Sequence, residues 1–202
     1  MKHPLLTPVS RIFFTLILIF SIVPVVHADE ITDAINEGLK HYQDGNFTGA
    51  AGSLDYAAQL IRQKKGGALT SLLPNAIEGW TAEEPTSQAA GAAMMGGGVS
   101  AERKYNKEES NITIQYMADS PLMQGVMMMF NNPMFASSDG GKLETISGQR
   151  AIVKYNATDK NGDVKIVVAN RYLITVEGSG VTKEDLVAYV KLIDFTKMAA
   201  LP

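Results

Sequence analysis

The segment MQGVMMMFNNPMF places Met123, Met127, Met128, Met129 and Met134 within thirteen residues of a chain that contains no cysteine. Thioether sulfur is a soft ligand, so several such side chains converging on one point would select copper(I). Met123, Met127, Met128 and Met134 are the candidates for that chemistry, with Met123 and Met127 one helical turn apart. The same side chain is unbranched and polarisable, which also suits an adaptable surface for a hydrophobic ligand or a partner. On a helix at about 100° per residue, Leu122, Met123, Val126, Met129 and Phe130 share one face, with Met127 at its border. Met128 points the other way. This distribution assigns most of the sulfur to packing and leaves Met128 as the residue that needs another reason.

Other chemistry-bearing groups are sparse. His41 is the one histidine after residue 28 and stands in LKHYQ, where no Ser–His–Asp arrangement or His-rich metal spacing accompanies it. Glu83, Glu84, Glu102, Glu108 and Glu109 are grouped in sequence, but Pro85, Arg103, Lys104 and Lys107 beside them suggest solvated turns and strand edges. In ATDKNGDV, Asp159, Asn161 and Asp163 alternate like calcium ligands. The glycine at Gly162 comes too early and no closing glutamate follows, so Asn161-Gly162 reads as a hairpin turn instead. Met94 and Met95 sit in a Gly/Ala-rich segment that could cover the methionine helix; Gly96-Gly97-Gly98 lacks the lysine and helix of a phosphate-binding loop. We expect a non-catalytic protein with no cofactor.

The elements that must position these residues fall into two groups. In EITDAINEGLKHYQDG, Ile31, Ala34, Ile35, Leu39 and Tyr42 recur at helical spacing; after Asp44-Gly45-Asn46, Ala50, Leu54, Ala57, Leu60 and Ile61 form a second stripe. The short connection predicts an antiparallel helical hairpin over residues 29–72. Gly38, Gly45, Phe47, Ala50, Leu54 and Ala57 resemble one tetratricopeptide-type repeat. That resemblance implies close helix approach at Gly38, Ala50 and Ala57, with Phe47 and Leu54 filling the seam, and a protein-binding role with His41 and Tyr42 on the rim. It departs from the pattern at Glu37 and has no helix-ending proline near Arg62.

Residues 73–202 read as an α+β domain: an antiparallel sheet with two helices packed on it. Alternation in VSAERKY, NITIQYMA, GQRAIVKYN, DVKIVVA and RYLITVEG predicts strands. SPLMQGVMMMFNNP reads as one helix and TKEDLVAYVKLIDF as another, Thr182 being a fitting N-cap. The order of elements, with LP…GW leading into the sheet, is similar to small PsbP-like periplasmic and lumenal domains. We expect the helices to cover a single face, and Trp80 to be a core anchor.

Lys2 and Arg11 precede the apolar run IFFTLILIFSIVPVV, and VHA ends at Ala28 before acidic residues, the pattern of a cleaved signal peptide over residues 1–28. Lys2 and Arg11 leave with it and no acidic residue does, so a net charge of −3 falls to −5. That balance argues against nucleic acid or an anionic membrane surface as partner. No second apolar run is long enough to span a membrane. We therefore expect an exported, bacterial periplasmic protein with a protein partner, the alternative being a carrier of a hydrophobic ligand or copper(I). Met94, Met95 and Met128 join His41 and Tyr42 as candidate interaction residues.

Overall fold

The computed structural model describes residues 29–88, 98–120, 122–132, 134, 137 and 140–202. The expected signal peptide, Met94 and Met95 lie outside the described residues. The chain is α+β: a helical hairpin is followed by an antiparallel eight-stranded sheet with further helices.

Helix α1 (Glu30–Gln43) starts at Asp29, whose carboxylate accepts from the Ile31 N–H. It stops at Asp44-Gly45, where Gly45 adopts φ 75°. Asn46 then caps α2 (Phe47–Thr70) by accepting from the Gly49 N–H at 3.0 Å. These caps account for helix-end donors that would otherwise lack partners. α1 packs against the first half of α2, whereas the last turns of α2 run on to the sheet and bury Gly66 and Leu69.

The strands are β1 (Thr81–Ala82), β2 (Thr86–Gln88), β3 (Val99–Lys107), β4 (Ser110–Ala118), β5 (Lys142–Ile146), β6 (Gln149–Asn156), β7 (Asn161–Val168) and β8 (Tyr172–Ser179). Their order is β1-β3-β4-β8-β7-β6-β5, with β2 also on the outer edge of β3. The meander β5–β8 thus returns to pair its last strand with β4. Strands β1, β2 and β5 are too short or too weakly alternating to stand out in the sequence. Asn161-Gly162 is not the β6–β7 turn: Asn161 already pairs with Asn156, and residues 157–160 make the turn with Lys160 at φ 49°. Gly162 serves a close approach instead, because a Cβ there would lie 2.4 Å from the Lys154 carbonyl oxygen.

One face of the sheet carries Ala101, Tyr105, Ile112, Ile114, Tyr116, Val153, Val164, Ile166, Tyr172, Ile174 and Val176 into the main core. Helix α4 (Lys183–Lys191) and helix α5 (Phe195–Ala199) cover it with Leu186, Tyr189, Val190, Phe195 and Met198. Thr182 caps α4, as the sequence indicates, and Asp185 completes a reciprocal capping box with it. Trp80 is buried here, edge-on to Tyr189 at 5.5 Å between ring centroids. Core tyrosines bind the segment after α2: Tyr116 donates to the Leu72 carbonyl at 3.2 Å and Tyr105 to the Pro74 carbonyl at 2.7 Å. The base of the hairpin is therefore tied to the sheet.

The expectation of a single covered face is corrected. Helix α3 (Leu122–Asn131), the methionine helix, packs on the opposite face, where Val126, Met129 and Phe130 meet Leu143, Ile152 and Val167. Ile152 alternates with the core residues Ala151 and Val153, so it points away from the main core. The sheet is amphipathic on that second face as well: apolar residues gather at the end α3 covers, and polar residues occupy the rest. No helix among the described residues is long and apolar enough to cross a membrane.

Candidate functional site

The seam of the helical hairpin is made of small residues. Ala34 and Gly38 of α1 and Ala50 and Ala57 of α2 are its buried positions. Leu54 reaches across to Gly38, where an added Cβ would stand 2.8 Å from Leu54 Cγ. Small residues bring the helices close, which forces the large ones to the flanks. At about 100° per residue, Ile35, Leu39 and Tyr42 lie on one flank of the α1 seam, and Phe47, Leu54 and Ile61 on one flank of the α2 seam. The helices are antiparallel, so these two flanks open on the same side of the hairpin. Tyr42 and Phe47 confirm the geometry by meeting at the tip, with ring centroids 5.9 Å apart.

The result is one continuous apolar face that nothing in the described structure covers. Its six large residues, Ile35, Leu39, Tyr42, Phe47, Leu54 and Ile61, are between 42% and 69% exposed. The rim is poor in charge: Thr32, Asn36 and Gln43 border it on α1, and Asp55 and Arg62 on α2. Aromatic and aliphatic residues without interspersed charge are the composition of an interface centre rather than of ordinary surface. Phe47 does not fill the seam as the repeat resemblance implies. It packs on Tyr42 and is otherwise open, because Ala50 and Ala57 already occupy the interhelical space.

The candidate rim residues separate. Tyr42 belongs to the apolar face. His41 turns back over Gly49, with its Nδ1 3.3 Å from Asn46 Nδ2 and its Nε2 3.9 Å from a Glu37 carboxylate oxygen. It braces the α1–α2 turn. Tyr56, on the far side of α2, donates to Glu30 at 2.5 Å and pins the start of α1.

On the methionine helix, Met123 is 9% exposed and Met128 63%, matching the opposite directions read from their spacing. Met134 is 77% exposed. Met123 thus sits on the buried side of the helix and Met128 on its outward side. Arg150 donates to the Phe130 carbonyl at 2.6 Å and secures the end of the helix against β6.

The uncovered part of the second sheet face forms a broad open groove of about 1040 Å³. Across it run Thr113, Glu177, Asp163 and Lys154, in register on β4, β8, β7 and β6, with Glu102 at the side. Asp163 pairs with Lys165 at 2.5 Å. The other sequence carboxylates stand elsewhere: Glu83 accepts from Asn106 at 3.0 Å, and Glu108 lies in the β3–β4 turn at φ 52°. Among the described residues, no three His, Cys, Asp or Glu side chains gather as metal ligands would.

Sequence reasoning found the two stripes and set Tyr42 on the rim, but placed Phe47 and Leu54 in the seam. The signal that separates the outcomes is the recurrence of Phe47, Leu54 and Ile61 every seventh residue beside alanines and glycines that suffice for the seam. No protein family, curated protein or solved structure matches this chain.

Proposed function

We propose that this chain is an exported, periplasmic, non-catalytic accessory protein that works through protein contact, and that the apolar face of the α1–α2 hairpin is its contact surface. The observation that carries the reading is the uncovered row Ile35, Leu39, Tyr42, Phe47, Leu54 and Ile61 on a hairpin anchored at its base. Export rests on the basic, apolar and small-residue order of residues 1–28. A hairpin held by Tyr105 and Tyr116 presents this face on a rigid support, which limits the ordering cost of binding.

In-cell photocrosslinking tests the reading. A photoreactive amino acid at Tyr42 or Leu54 should give protein adducts, and the same group at exposed Lys104 should not. Absence of adducts from both hairpin positions would remove the hairpin from the proposal.

A second reading, a carrier of a hydrophobic ligand or copper(I), is favoured by the exposure of Met128 and Met134 beside the α3 packing cluster. Native mass spectrometry of protein purified without chelator or strong detergent tests it. A mass excess that Met128→Ser abolishes would promote this reading, and a bare protein mass would end it.

A further inference from the structure

We propose that the occupant of the hairpin face is a second copy of this chain, the two hairpins pairing antiparallel into a four-helix bundle. The inference deepens the protein-contact reading above and rests on it.

Area is the first argument. With a large side chain presenting about 150–250 Å² when free, the fractional exposures of the six residues leave roughly 480–800 Å² of mostly apolar surface per copy. The largest such patch on an ordinary monomer is about 300–600 Å². A stable interface takes about 800 Å² from each partner. One hairpin face, with its polar rim, supplies that amount.

Self-complementarity is the second. A twofold axis brings each patch against itself, so it requires a surface that is not like-charged and is symmetric along its length. Phe47, Leu54 and Ile61 recur one heptad apart on α2, with Leu54 at the centre. Antiparallel α2 helices whose twofold axis passes near Leu54 set Phe47 against the second copy's Ile61 and lay the two α1 helices along one another. Ala51 and Ala58 of the two copies then face each other and allow the backbones to approach. A partner of unrelated sequence would need to match this spacing; a second copy matches it by symmetry.

The test is sedimentation velocity on protein expressed from the full 202-residue frame and purified as the cell processes it. We expect a dimer at concentrations up to about 100 μM, the range in which an interface of standard size forms. Phe47→Glu with Ile61→Glu should weaken dimerisation by at least about 100-fold, with the far-ultraviolet circular dichroism unchanged. A wild-type monomer at the highest concentration overturns self-pairing, as does a dimer indifferent to both substitutions. Crosslinking from Tyr42 separates the two failures. A monomer that crosslinks to a different polypeptide overturns the second copy and keeps the protein-contact reading; a monomer without adducts overturns both.

Discussion

Leu54 packs directly over Gly38, so a Cβ at Gly38 would approach Leu54 Cγ to 2.8 Å and Cδ2 to 3.0 Å. This contact sets how closely α1 and α2 approach, and hence how the apolar flanks align. Gly38→Val should destabilise the protein by about 1–3 kcal/mol through overpacking. Gly38→Ala should cost less, because Leu54 is half-exposed and can shift, and the helix gains roughly 1 kcal/mol in propensity. Chemical denaturation of the two variants checks the order.

Alkaline pH should unfold the protein through its buried tyrosines. Burial drives the hydroxyls of Tyr105, Tyr116 and Tyr189 above their ordinary value of 10.0. A folded value above the unfolded one means the neutral form is favoured in the native state. The associated stability is fully present below about pH 10 and declines as pH rises beyond it. Phenolate absorbance from these residues should appear together with the loss of near-ultraviolet circular dichroism. Titration that left the tertiary signal intact would contradict this account.

Tyr189→Phe should stabilise the fold or leave it unchanged. The Tyr189 hydroxyl is buried, and the Ile77 backbone comes near it without completing a hydrogen bond. Removing a buried hydroxyl without a partner recovers up to about 1–3 kcal/mol of desolvation, while the ring keeps its contacts with Trp80 and Tyr105. A melting temperature several degrees lower would show that the hydroxyl is bound after all.

Gly162→Ala should be one of the more damaging small substitutions in the sheet. The added Cβ would meet the Lys154 carbonyl at 2.4 Å and the Tyr155 Cα at 3.0 Å, and backbone cannot yield as a side-chain tip can. We expect a loss of about 2 kcal/mol or more by thermal denaturation. The neighbouring exchange Asn161→Ala should stay within about 1 kcal/mol, since Asn161 is exposed at the strand end.

The two kinds of methionine on α3 should respond oppositely. Met123→Ala removes a side chain that is 9% exposed and should cost about 2 kcal/mol, the low end for a buried methionine because it lies outside both core clusters. Met128→Ser removes an exposed one and should change stability by less than about 0.5 kcal/mol. Melting curves of the two variants suffice.

The periodic patterns were legible without coordinates. Alternation in NITIQYMA and DVKIVVA announced strands because one buried face imposes a period of two, and Thr182 with Asp185 announced a helix start because orphan N–H groups need local acceptors. The outward direction of Met128 followed from helical spacing alone. Strand β1 was not legible: two residues held by β3 carry no pattern of their own. Nor was the true turn at residues 157–160, where sheet pairing at Asn161 and Asn156 overrode the local preference of Asn-Gly.

By itself the sequence determined the α+β class, the helical hairpin, the Thr182 cap and the directions of side chains around the methionine helix, all consequences of local geometry. Tertiary structure alone decided that α3 lies on the face opposite α4 and α5, and that Tyr105 and Tyr116 hold the hairpin base. It alone decided that the large residues of the hairpin remain uncovered. A stripe states which residues share a side, but burial depends on what the rest of the chain brings to that side. Here the sheet receives only the end of α2, and the first half of the hairpin is left with an apolar face that none of the described residues covers.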